Sequence, residues 1–163
     1  MFDTKSLLVF LDKNNVKYTL YEHPPVFSKS DIQNMPQTAG EVLKSLVLTN
    51  KKGELFMFTL PLFWSADLKT LALNLNSKRL SFGNDDSLAY LGVLPGMVSP
   101  LALLNDTNHK FIYIEPEEIE DFKIVNCHPL NNSFSIDIAL KDMDTLVKNS
   151  GHEVLRFSQC IKK

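Results

Sequence analysis

Two apolar runs, at residues 45–50 and 54–60, are separated only by Lys51-Lys52-Gly53. Gly53 can take the positive φ that a short hairpin loop often requires, so the two runs pair as adjacent antiparallel strands. A buried hairpin of this kind makes a sheet the organising element of whatever else the chain builds. With 163 residues against a prior of roughly 150 per domain, there is room for one domain with a sizeable core.

The elements around the hairpin are mixed. Asp3 or Thr4 offers a helix N-cap, followed by Leu7, Leu8, Phe10 and Leu11 on one stripe ending at Asn14-Asn15. Residues 16–21 are β-branched and aromatic and predict a strand before His23-Pro24-Pro25, after which Ser28 or Ser30 can cap a brief helix. Helical periodicity marks residues 66–75 and, more briefly, 85–91, with a strand at 79–82 between them. Strands follow at 110–115 and 123–127, then a helix through Leu140, Met143, Leu146 and Val147 closed by Gly151, and a last strand at 154–157. Helices and adjacent strands without a regular βαβ rhythm imply an α+β domain around one mixed, twisted sheet. Repeats and low-complexity stretches are lacking, and the prolines sit at element boundaries.

Composition limits the partners. Lysine and arginine total 17 against 19 acidic residues, so a formal charge of −2 argues against a protein that coats DNA through a bulk positive field, while leaving room for local basic patches. The most apolar window, residues 55–66, is broken by Pro61 and falls below the ~18 residues of a membrane span. No export signal precedes the first helix, and two cysteines, Cys127 and Cys160, are too few for a disulfide framework, so a cytoplasmic location is expected.

The usual catalytic signatures are missing. Ser99 does not lie in a nucleophile elbow, and neither a phosphate loop nor a dinucleotide glycine pattern occurs. Cys127 and His128 are neighbours, which in extended chain point to opposite faces and cannot form a dyad. The histidines at 23, 109, 128 and 152 have no metal-ligand spacing, so neither a metal nor another cofactor is expected. Three features remain. Lys44 lies between Leu43 and Leu46 at the entry of the hairpin, where spacing alone reads as a solvated strand-end lysine. Residues 92–100 hold two glycines and two prolines in a stretch too apolar for an ordinary surface loop. It is either a tight structural crossover or a rigid loop aiming its amides at an anion or polarised carbonyl. The third is a polar turn, His128-Pro129 with Asn131-Asn132, in which a lone histidine is more often structural than catalytic.

Taken in order, Tyr21-Glu22-His23-Pro24-Pro25-Val26-Phe27-Ser28, Leu43-Lys44-Ser45-Leu46, Leu94-Pro95-Gly96-Met97-Val98-Ser99-Pro100, Leu103-Leu104-Asn105-Asp106, His128-Pro129-Leu130-Asn131-Asn132 and Gly151-His152 resemble the YbaK/ProX family of aminoacyl-tRNA deacylases. These are free-standing relatives of the editing domain inserted in bacterial prolyl-tRNA synthetases. The likeness runs over nearly the whole chain and is nearest to the alanyl-tRNA(Pro) deacylase subgroup; Ser45 departs from it, standing where the family usually places asparagine. The resemblance implies one editing domain over residues 1–163 that hydrolyses mischarged tRNA(Pro), with the tRNA acceptor end as partner and prolyl-tRNA synthetase as a further one. It also implies roles for residues. Lys44 would hold the phosphate or ribose of the terminal adenosine, and Gly96 with Met97, Val98, Ser99 and Pro100 would present amides to the ester carbonyl. His128 would orient the substrate, and Cys127, Asn132 and His23 would complete the binding site. The substrate's own 2′-hydroxyl would help activate water. Such an activity has a chemical rationale. A pocket built for proline cannot exclude the smaller alanine, because one missing group discriminates by only ~1–3 kcal/mol, so the error needs a second site. Lys51-Lys52 and Lys78-Arg79 are local patches suited to the acceptor end, although individually each reads as a solvated side chain. Cysteinyl-tRNA(Pro) deacylation, a silent tRNA- or synthetase-binding module and a small-molecule esterase are the competing readings. The last is disfavoured by the lack of a nucleophile–base pair.

Overall fold

The structure, a computed structural model, describes residues 1–163. Helix α1 (Thr4–Lys13) opens with a reciprocal cap in which Asp3 Oδ1 accepts from Ser6 N and Ser6 Oγ accepts from Asp3 N. Its Leu7 and Leu11 are fully buried, each contributing about 1.5–3 kcal/mol of burial energy. Strand β1 (Tyr18–Glu22) begins two residues later than the β-branched run suggests, because Val16 N–H is still bonded to Leu11 O in the turn that ends the helix. A 3-10 turn (Lys29–Asn34) follows Ser28, with Asp31 accepting from the amides of Phe27 and Ser28.

The hairpin is β2 (Glu41–Thr49) and β3 (Leu55–Pro61), with Gly53 at φ 77 in the loop. β2 starts earlier than predicted, so Lys44 is not at a strand entry: it lies inside the strand, opposite Leu60. The chain continues through β4 (Ser65–Ala66), α2 (Leu68–Asn74) capped by Asp67, and β5 (Ser81–Phe82). The predicted short helix at 85–91 is a 3-10 turn (Asp85–Tyr90), and another (Pro100–Asn105) precedes β6 (Phe111–Pro116). β7 (Ile124–Cys127), β8 (Phe134–Ala139), α3 (Leu140–Asn149), β9 (Val154–Phe157) and β10 (Ile161–Lys162) complete the domain. β4, β8 and β10 are additions to the predicted set, so the strand at 154–157 is not the last.

One mixed, eight-stranded sheet runs in the order β1-β8-β7-β2-β3-β6-β9, with β5 on β2, and β4 and β10 pair separately. The β2–β7, β3–β6 and β6–β9 pairs are parallel and the others antiparallel. Alternation sends Met57 and Tyr113 into the larger core with α1 and α3, and Phe56, Phe58 and Ile114 into the smaller core under α2. The expected α+β domain with a central mixed sheet is what forms.

Buried polar networks tie the layers. Asp137 accepts from Tyr21 Oη (2.6 Å), Ala39 N (3.0 Å), Gly40 N (3.1 Å) and Asn126 Nδ2 (3.0 Å), locking β1, β7 and β8 to the chain entering β2. Asp106 accepts from the amides of Lys110 and Phe111 and bonds His152 Nε2 at 2.9 Å. At the β6–β9 edge of the sheet Arg156 bridges Glu115, Asp144 and Glu120. Burial and the neighbouring Asp144 push the Glu115 carboxyl up to about 8.

Candidate functional site

β2 has a strand on both sides for only part of its length. β7 covers Glu41 and Val42, β5 covers Leu48 and Thr49, and residues 43–47 have only β3 as partner. Val42 O accepts from Leu62 N on the β3 side, whereas Val47 O accepts from Gly83 N on the other. By alternation the backbone N–H and C=O of Ser45 turn into the gap. A cavity of about 300 Å³ opens there, between this edge, the segment 26–29 and the loop 96–98.

Lys44, Gly96, Val98 and His128 line this cavity, so residues from three distant segments meet there. The remaining predicted residues do not line it. Ser99 Oγ donates to His128 O at 2.6 Å, so the loop and the end of β7 are hydrogen-bonded neighbours and build one wall together. Pro100 starts a buried 3-10 turn, and Met97 N–H closes a turn onto Leu94 O. Cys127 belongs to the core; burial and Asp137 push its thiol up to about 12, which leaves it inert. Asn132 supports the wall from behind by exchanging hydrogen bonds with Val26. His23 is buried with its ring centroid 6.4 Å from that of His128, its Nδ1 on Pro24 O and its Nε2 unpartnered.

The loop owes its shape to a type II turn with Pro95 at the second position and Gly96, φ 84, at the third. A Cβ on Gly96 would stand 2.8 Å from Phe27 Cδ1. The amides of Gly96 and Val98, unlike that of Met97, have no partner within the chain and remain free to donate. His128 Nδ1 lies 3.0 Å from Phe134 O, so the carbonyl fixes the proton on Nδ1 and leaves Nε2 as an acceptor. Burial holds the His128 pKa below its ordinary 6.5, so the ring is neutral at pH 7.

Electrostatically the cavity is one-sided. Lys44 has no carboxylate partner, and its pKa is lowered by burial and by the charge of Lys29, which lines the same cavity. No acidic residue lines it. Two cations sharing a pocket without an anion are arranged for an anionic ligand. Lys29 is not among the residues the sequence singles out, and Phe27 stands there only inside the Tyr21–Ser28 motif with no role; the signal for both is position, directly after the His23-Pro24-Pro25 turn. The Ser45 hydroxyl is bonded to Thr59 and that of Ser28 to Ser30, and no hydroxyl or thiol is paired with a base here. Ser150, His152 and Asp106 do form a hydrogen-bonded chain elsewhere, but Ser150 Oγ donates to Val147 O at 2.6 Å at the end of α3, so that chain secures the helix terminus. The site thus offers cations, free amides and a neutral imidazole, an arrangement that can bind a phosphorylated ester and direct water at it without a protein nucleophile.

The model of the family described as "Aminoacyl-tRNA editing domain" matches residues 23–146, which include all the cavity-lining residues. The prolyl-tRNA editing protein ProX of Acetoanaerobium sticklandii is 30% identical over 151 residues, covering 91% of this chain and 92% of that protein. Prolyl-tRNA synthetase associated domain-containing protein 1 of Danio rerio is 28% identical over 152 residues, covering 91% and 83%. Among solved structures, one described as a candidate trans-editing enzyme for prolyl-tRNA synthetase superposes with a TM-score of 0.70 at 16% identity, over 100% of this chain and 99% of that one, and so shares the fold. On the strength of its cavity, its fold and this match, the chain belongs to the aminoacyl-tRNA editing domain family.

Proposed function

We propose that this protein hydrolyses the ester of mischarged tRNA(Pro), with alanyl-tRNA(Pro) as its substrate, in trans to prolyl-tRNA synthetase. The observation that carries this reading is the cavity itself: Lys44 and Lys29 without a carboxylate, beside a loop with free amides and a neutral His128. Lys44, with Lys29, holds the phosphate of the terminal adenosine. The Gly96 and Val98 amides donate to the ester carbonyl oxygen, where negative charge develops as water adds. The neighbouring ribose hydroxyl positions that water, and His128 Nε2 accepts a hydrogen bond that orients it. The tetrahedral centre then collapses, the C–O bond to the ribose breaks, and the ribose oxygen takes up a proton, giving free amino acid and intact tRNA. An aminoacyl ester is already activated, so no covalent intermediate is needed.

The prolyl-tRNA editing role named for ProX supports the same reading. A deacylation panel of alanyl-, cysteinyl-, seryl- and prolyl-tRNA(Pro) tests it. Alanyl-tRNA(Pro) is expected to be cleaved fastest and prolyl-tRNA(Pro) spared. Preference for the cysteinyl ester would replace the assigned substrate, and no hydrolysis above the buffer rate would remove the enzymatic function altogether.

A further inference from the structure

Lys51 and Lys52 sit at the hairpin tip, Lys69 on α2, and Lys78 and Arg79 in the chain between α2 and β5; all are exposed. Tertiary structure gathers them. Asn50 Nδ2 donates to Ser77 Oγ at 2.9 Å, tying the hairpin tip to the segment after α2. Lys51, Lys52 and Lys78 line one groove, Lys69 and Arg79 line the next, and Ser77 belongs to both. None of these cations is in an ion pair, although the chain carries 19 acidic residues. The one carboxylate lining either groove, Glu54, accepts from Asn50 Nδ2. A charge-balanced protein that leaves these cations together and unpaired has a surface suited to a polyanion.

Its position relative to the cavity narrows the choice. Lys44, Leu46 and Leu48 alternate onto one face of β2, and Leu46 and Leu48 pack in the core beneath α2. The basic stripe therefore lies on the same side of the sheet as Lys44. From Lys44 to the hairpin tip, strand rise gives a separation of roughly 20–25 Å. Stacked at roughly 3.4 Å per nucleotide, the four unpaired nucleotides of a tRNA 3′ end reach only about 14 Å, so this gap is met with the single strand drawn out beyond its stacked rise before the paired stem begins.

Resting on the tRNA reading above, we propose that Lys51, Lys52, Lys69, Lys78 and Arg79 form the docking surface for the backbone of the acceptor stem, while the cavity takes only the terminal nucleotide. Phosphates of the first stem pairs meet the stripe, which supplies affinity and register without reading bases. The stripe then governs binding of long substrates and has no part in the chemical step.

The test is the triple substitution Lys51→Glu, Lys52→Glu, Arg79→Glu in the full chain, with melting temperature as the fold control. Uncharged tRNA(Pro) is expected to bind at least tenfold more weakly, with the slope of log affinity against log salt reduced by about 2–3. Deacylation of alanyl-tRNA(Pro) is expected to show a raised KM with kcat unchanged, and an alanyl-CCA trinucleotide to be cleaved at the wild-type rate. Unchanged tRNA affinity and salt slope overturn the proposal, as does an equal loss on the trinucleotide. Loss of binding to phosphatidylserine vesicles with tRNA binding intact also overturns it, assigning the stripe to a membrane surface. Loss of tRNA binding in the variant of a wild type that hydrolyses no aminoacyl-tRNA supports the docking surface and refutes the deacylase reading instead.

Discussion

Lys44→Met separates binding from folding. Methionine is similar in length and apolar, and it meets Val42, Leu46 and Leu62 in the cavity wall. Lys44 forms no ion pair, and burial together with Lys29 disfavours its charge. Removing it therefore takes away an uncompensated cation, and the melting temperature is expected to stay level or rise by up to about 4 °C. The pH dependence has a definite sign. Lys44 binds its proton less tightly in the folded chain than in the unfolded one, where its value is 10.5. Wild type therefore gains stability relative to the variant as pH climbs toward 10.5, and the difference is largest near neutrality. Function moves the other way: a charge-assisted hydrogen bond to phosphate is worth about 1.5–3 kcal/mol, so kcat/KM for alanyl-tRNA(Pro) is expected to fall about 10- to 150-fold. Scanning calorimetry and initial deacylation rates on one preparation read both quantities. A kcat/KM within twofold of wild type refutes the phosphate role, and a melting point lowered by several degrees refutes the premise that this lysine is a burden on the fold.

Gly96→Ala forces an L side chain to φ 84 and sets its Cβ against Phe27, so it should cost about 1–2 kcal/mol, lowering the melting point by about 2–8 °C. Assayed well below that temperature, it should keep tRNA affinity and lose at least tenfold in turnover; wild-type turnover would show that the loop does not act on the ester. Because the neutral form of His128 is the working one, kcat/KM should be lost as pH falls through a midpoint below 6.5, and a limb centred higher contradicts that role. Asp137→Ala strands four hydrogen-bond donors and should cost at least ~3 kcal/mol, lowering the melting point by roughly 6–12 °C; a drop under about 2 °C would mean that water replaces the carboxylate. With Glu115 raised to about 8, the folded chain holds a proton that the unfolded chain releases near 4.5, so stability should fall as pH rises between those values. Glu115→Gln should flatten that slope, and parallel curves for variant and wild type would place the proton elsewhere.

Much of the fold follows from local pattern. The hairpin is legible because Gly53 sits between two apolar runs, and α1 because an N-cap candidate, Asp3, precedes the stripe of Leu7 and Leu11. The candidate site residues Lys44, Gly96, Val98 and His128 are legible only through family resemblance, since their spacing alone reads as a solvated lysine, a tight crossover and a lone histidine. β8 has the strand period, with Phe134, Ile136 and Ile138 alternating with Ser135 and Asp137, but these polar residues face buried partners on other strands, which no local pattern reveals. Tertiary structure alone decides that β7 and β5 leave the middle of β2 uncovered, because a sheet edge depends on where distant strands stop. The same holds for which groups face that gap. Lys29 joins Lys44 only when the segment after His23-Pro24-Pro25 folds over the cavity, and the Gly96 and Val98 amides are free only because the turn uses that of Met97. Chain order sets local geometry through φ, ψ and side-chain period, whereas a pocket forms between segments distant in sequence and is fixed by how the packed layers leave groups unpaired.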